Sequence, residues 1–139
     1  MTDSTSLEEQ VIEMLLAGSD ESLALLRQQA SQARVSSRKM TGVGFFSHFI
    51  IPAGTTRVMG HPTFYLGDVN GTAAHVKHGL GFVLFVTKGT LSMLEGYTFD
   101  EPWPDEIQGL TLTYSGGQGR NIDELRKSIQ RRQDALTVS

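Results

Sequence analysis

Turn chemistry and alternation between His61 and Tyr114 constrain this chain more than any other feature. Asn70-Gly71 and Lys88-Gly89 each sit between apolar, aromatic-rich runs, the strongest short-range hairpin signal. Around them lie Phe64-Tyr65-Leu66, Gly81 to Val86, Leu91 to Phe99 and Leu110 to Tyr114. The runs read as an antiparallel meander with a tight turn at Asn70-Gly71. Glu101-Pro102-Trp103-Pro104 closes its long strand, because two prolines forbid continuation of a hydrogen-bonded ladder.

Upstream, Leu7, Val11, Met14 and Leu15 recur at helical spacing, with Ile12 and Leu16 widening the apolar face, so residues 6–17 form an amphipathic helix. Gly18 stops it, and Ser19 caps a second helix with Asp20 and Glu21 in its first turn. Leu23, Leu26, Ala30 and Ala33 carry that helix to about Arg34. Val35 to Thr41 pairs with Gly44 to Ile51 across Gly42-Val43, and Pro52-Ala53-Gly54 ends the second strand. Beyond the loop Ser115 to Gly119, Asn121 with Glu124 makes a capping signature for a last helix, its apolar face Ile122, Leu125, Ile129 and Leu136. The expected fold is α+β: an N-terminal αα-hairpin on one face of an antiparallel, strongly twisted sheet of about five or six strands, curled towards a partly open barrel, with a C-terminal helix.

The 139 residues make one domain, 1–139, with 1–5 and 137–139 as flexible ends. Zero cysteines exclude disulfides, thiolate catalysis and cysteine-based zinc sites. The start, Met1 to Gln10, is polar and acidic without a basic or apolar leader segment, and no apolar run approaches the roughly 20 residues of a membrane span. The expected compartment is the cytoplasm, with no membrane partner. A net charge of −3 argues against nucleic acid, whose binding is driven by neutralising phosphates with Lys and Arg. Charge is also segregated: Met1 to Glu21 holds six acids and no base, and Arg27 to Lys39 four bases and no acid. Glu95, Asp100, Glu101, Asp105 and Glu106 follow without an intervening base. Such blocks suit internal pairing of faces, or a complementary partner surface.

Several segments, taken in order, resemble one family of small stand-alone bacterial proteins of uncharacterised function. They are Leu26-Arg27-Gln28-Gln29, Thr41-Gly42-Val43-Gly44-Phe45-Phe46, Gly67-Asp68-Val69, His78-Gly79-Leu80-Gly81-Phe82 and the stretch Leu94 to Pro104, read as Leu-Glu-Gly-Tyr-Thr-Phe-Asp-Glu-Pro-Trp-Pro. The resemblance covers roughly residues 12–114. It implies a bacterial cytosolic single domain and carries over no reaction, cofactor or site residue.

No decisive catalytic motif is present. His75 and His78 form a His-x-x-His pair, but their flanks read as a strand leading into a loop, where residues three apart point to opposite sides; no metal and no cofactor are expected there. His48 alternates with Phe46 and Ile50 on a strand, as a half-buried hydrogen-bonded histidine. Neither Ser47 nor Ser92 stands in a Gly-x-Ser-x-Gly elbow. Gly42-Val43-Gly44 and Gly79-Leu80-Gly81 lack the strand-to-helix setting of a dinucleotide loop. The loop Ser115 to Arg120 lacks the Gly-Lys-Ser/Thr ending of a phosphate cradle. The carboxylates Glu95, Asp100 and Glu101 lie beside Trp103, and tryptophan is enriched among interface hot spots.

Two functions follow. The first is a non-enzymatic interaction protein, such as an inhibitor or immunity-type partner, using Trp103, Asp100 and Glu101. The second is a small-molecule-binding domain or enzyme with a pocket on the concave sheet face, lined by aromatics, His48 and Glu95. A flat, apolar-centred exposed patch favours the first and an aromatic pocket with convergent polar groups the second. A homodimer is expected as well, because Phe45 to Ile51 and the two helices carry more apolar surface than the sheet needs. Met40, Ile51 and Met59 also fall near turns.

Overall fold

Thr5 and Glu8 start the first helix with a capping box: the Glu8 N–H donates to the Thr5 hydroxyl at 3.2 Å, and the Thr5 N–H donates to the Glu8 carboxylate at 2.7 Å. The resulting α1 spans Ser6–Leu15. Asp20, one residue after the expected cap, starts α2 (Glu21–Gln32) by accepting from the Ser22 N–H at 2.9 Å. The structure, a computed structural model, describes residues 1–115; the expected helix from Asn121 lies outside them.

Six strands follow: β1 (Arg34–Met40), β2 (Gly44–Ile50), β3 (Phe64–Thr72), β4 (Leu80–Thr87), β5 (Thr90–Thr98) and β6 (Thr111–Tyr114). They form one open sheet in the order β1-β2-β5-β4-β3-β6, every pair antiparallel. The α+β class with an antiparallel sheet is therefore what the chain adopts. Among the described residues β1 and β6 are its two edges, and the sheet is open rather than closed into a barrel.

The Lys88-Gly89 turn joins β4 to β5 with Thr87 opposite Thr90. Both turn residues have positive φ, 51° and 78°, as a tight hairpin of this hand requires. Asn70-Gly71 is not a turn. It lies inside β3, with Asn70 opposite Gly81 and Gly71 opposite Leu80. The dipeptide is there for space: a Cβ on Gly71 would lie 3.2 Å from Leu112 and 3.4 Å from Leu110 and Phe82. The β3–β4 reversal comes later, where His75 and Gly79 take positive φ. The meander β3-β4-β5 stands, with its first turn displaced.

One sheet face carries the core. Phe45 and Phe49 of β2, Phe64, Leu66 and Val69 of β3, Phe82 and Leu84 of β4 and Leu94 of β5 are buried with Val11 and Leu15 of α1 and Leu23 and Leu26 of α2. The amide of Gln29, fully buried on α2, fastens this layer to the β4–β5 hairpin. It donates to the carbonyls of Thr56 at 3.0 Å and Gly89 at 2.9 Å, and accepts from the Leu91 N–H at 2.9 Å. Both amide hydrogens and its oxygen are used, which is what burial of an amide demands. Gln29→Leu keeps the size and strands all three backbone groups, so it is expected to cost about 3 kcal/mol in urea unfolding; a loss below about 1 kcal/mol would show the clamp to be dispensable.

Candidate functional site

The loop after β5 folds back onto the β1–β2 turn. The Thr98 N–H donates to the Val43 carbonyl at 2.9 Å and the Trp103 N–H to the Gly42 carbonyl at 2.9 Å. These bonds bring the half-buried Trp103 ring edge-on to Phe45, with centroids 5.3 Å apart and planes at 78°. Phe45 in turn lies over Gly96, where a Cβ would come within 2.4 Å of its ring. Trp103, Phe45, Met40 and Leu7 wall a pocket of about 140 Å³, with Glu8 and Arg38 contributing its polar lining.

Glu8 is 1 % exposed. It is ion-paired with Arg38 and accepts from the buried Ser47 hydroxyl, in addition to its bonds with Thr5. Burial by itself raises this carboxyl, but Arg38, Ser47 and Thr5 together outweigh it and hold the group below its ordinary value. Arg38 also donates to the Asp3 carbonyl at 3.1 Å. Acid from the N-terminal block thus meets base from the β1 block, the internal pairing that charge segregation anticipates. Ser47 is wholly enclosed as a donor to Glu8, and so cannot serve as a nucleophile towards solvent.

The opposite sheet face presents a different surface. On β4, Leu80, Phe82, Leu84 and Val86 point into the core, leaving Val83 and Phe85 on the far side. Cross-strand register places Phe46 opposite Glu95 and Glu95 opposite Val83 in one row, then His48, Met93, Phe85 and Tyr65 in the next. Tyr97 lies over Gly81, where a Cβ would meet its ring at 2.4 Å, and its ring stands edge-on to Phe99 at 5.3 Å. Tyr65, Ile50 and Phe99 are 48 %, 46 % and 42 % exposed. Glu95 is a half-buried acid among these apolar groups, and burial pushes its carboxyl above the ordinary value. Among the described residues it has no hydrogen-bond or ion-pair partner.

The five residues singled out in the sequence therefore fall in three places. Trp103 borders the pocket on the helix side, and Glu95 and His48 lie on the open sheet face. Asp100 and Glu101 belong to the loop that follows β5; Asp100 takes positive φ, 55°. Glu101 accepts from the Lys77 and His78 N–H groups at 3.0 and 2.8 Å, which hold its carboxylate below the ordinary value. It ties down the loop carrying His75 and His78. No group of three or more His, Asp or Glu side chains able to hold a metal occurs among the described residues. His75, Asp105 and Glu106 line a separate cleft of about 530 Å³ with Ala74, Pro104 and Gln108. Sequence reasoning missed the Glu8–Arg38–Ser47 cluster, whose only advance signal was the pairing of acidic and basic blocks.

Comparison with family models, with curated proteins and with solved structures returns no match. The geometry alone therefore carries the functional argument.

The sign of the Glu8 effect is set by its lowered value. The unfolded chain takes up the proton first, so the stabilisation is full above the ordinary value of 4.5 and is lost as pH falls through it towards the folded value. Glu8→Gln is expected to cost about 3 kcal/mol at pH 7, with the gap to wild type narrowing between about pH 5 and 3. Urea unfolding across that range checks it; parallel curves would show that Glu8 does not titrate differently on folding.

Proposed function

We propose that this chain is a non-enzymatic interaction protein, of the inhibitor or immunity kind, working in a bacterial cytosol. It presents the open sheet face as a protein-binding surface. The observation that carries the reading is the composition of that face. Antiparallel sheets with one wet face alternate apolar and polar residues, whereas strands covered on both sides read as continuous apolar runs. β4 is Leu80-Gly81-Phe82-Val83-Leu84-Phe85-Val86-Thr87, with only its last residue polar. Phe46, Met93 and Tyr97 continue the patch onto β2 and β5, and no described residue covers it. The patch is apolar except for Glu95 and His48, with further polar groups towards its margins at Lys39, Ser37 and Asn70. Contiguous patches of this kind on a small domain mark interaction sites.

A second reading, a site for a small apolar ligand, is favoured by the Trp103 pocket. Its volume of about 140 Å³ is below the roughly 300 Å³ of ordinary ligand pockets but matches a benzene-sized guest. Trp103 is the sole tryptophan, so its fluorescence reports occupancy directly: saturable quenching or a spectral shift with benzene or toluene supports this reading, and an unchanged spectrum opposes it.

For the first reading, p-benzoylphenylalanine placed at Phe85 in living cells of the native host is expected to give a discrete photo-adduct with protein. The same group at Arg57, exposed in the β2–β3 loop, serves as the background. Labelling at position 85 no stronger than at 57 would overturn the interaction reading.

A further inference from the structure

The face just described is matched to itself. Resting on the reading of that face as a protein-binding surface, we propose that its occupant is a second copy of this chain, packed sheet against sheet about a two-fold axis. Two adjacent rows decide the match. One holds Phe46, Glu95 and Val83; the other holds His48, Met93 and Phe85, on the same three strands in the same order β2, β5, β4.

A two-fold axis crossing the strands between those rows exchanges them. Val83 then faces Phe85 of the second copy, and Glu95 comes to lie over Met93 and diagonally beside His48 of the second copy. Val83 and Phe85 make the apolar pair across the axis, while Phe46 faces His48 and Met93 faces the Glu95 stem of the second copy. Each Glu95 gains a donor of the kind it lacks among the described residues, and each exposed His48 imidazole gains an acceptor. An acid held among Phe46, Val83, Met93 and Tyr97 is unfavourable in a monomer, as the raised position of its carboxyl reflects. The exchange supplies two such contacts, as an isologous interface requires.

Size agrees with this occupant. Four strands about 4.8 Å apart and some eight residues long give a face of roughly 500 Å² in plan, and the accessible area of its side-chain relief is larger. That approaches the roughly 600–800 Å² per partner of specific interfaces. Aligned packing of two twisted sheets about 10 Å apart is also an established way to bury such faces.

Light scattering coupled to size-exclusion chromatography tests the proposal on the full chain. At about 50 µM the wild type is expected at twice the 15.2 kDa chain mass, and a mass near 15.2 kDa overturns the proposal. Glu95→Lys is expected to weaken association tenfold or more, and His48→Glu combined with Glu95→Lys to restore it. A double variant as monomeric as Glu95→Lys overturns the reciprocal contact. Circular dichroism guards against misfolding, since both positions lie outside the core. With p-benzoylphenylalanine at Phe85 in the purified protein, an adduct between two copies mapping to Val83 supports the proposal. A monomeric chain that still forms a photo-adduct with a different protein in cells overturns self-association while leaving the interaction reading standing.

Discussion

A single enclosed carboxylate fixes how the helical layer meets the sheet. Glu8 caps its own helix through Thr5, pairs with Arg38 on β1 and takes a hydrogen bond from Ser47 on β2. A buried ion is tolerated only when its lone pairs are filled and an opposite charge stands beside it. Here both conditions are met by residues from three different elements, so α1 has one position relative to β1 and β2. That position sets the opening beside Leu7, Met40 and Trp103, and with it the shape of the pocket. Gln29 performs the neutral counterpart on α2, where every polar atom of its amide is engaged by the loop before β3 and by the β4–β5 hairpin.

Two glycines, each lying under an aromatic ring, give the sheet its two unlike faces. Gly96 admits the Phe45 ring on the core side and Gly81 admits the Tyr97 ring on the open side. A side chain at either position would lift the ring away from the sheet. The rings instead lie low, which on the core side lets Trp103 close over Phe45 and on the open side keeps the Tyr97 ring close to the sheet. A deep pocket needs the reverse, side chains standing apart around a hollow. Low-lying rings of this kind accord with the proposed contact through a broad surface.

What the sequence made legible was the set of local periodicities. The helical spacing of Leu7, Val11 and Leu15, the alternation of Phe46, His48 and Ile50, and the Lys88-Gly89 turn all act over a few residues, and each element formed where its pattern stood. Asn70-Gly71 was misleading because glycine answers two different demands: positive φ at a turn, and the absence of a Cβ beneath a crowded neighbour. Only the cross-strand partners Leu112 and Phe82 separate the two, and they are set by the fold. The same holds for the candidate residues. Glu95, Asp100, Glu101 and Trp103 are close in sequence, yet alternation sends Glu95 to the far face, and Glu101 turns towards the loop at Lys77 and His78. Glu8 and Arg38 are thirty positions apart, too far for any local pattern to join them.

The edges of the sheet bear on how such a chain can associate. An open sheet offers unpaired N–H and C=O groups at its margins, and these are the usual route to open-ended aggregation. β1 places Arg38 and Lys39 near the end of its strand, its pairing slips between Val35 and Ser37, and Thr2 already bridges Arg34 and accepts from the Val35 N–H at 3.0 Å. β6 is four residues long and its outward positions are threonines. Both margins are thus poor templates for a further strand. Contact through the face differs in kind, because an isologous pairing of two faces uses the surface up and stops at two, whereas edge pairing leaves a new edge each time. The devices that blunt β1 and β6 leave the rows across β2, β5 and β4 as the part of the sheet through which the proposed pairing would be self-limiting.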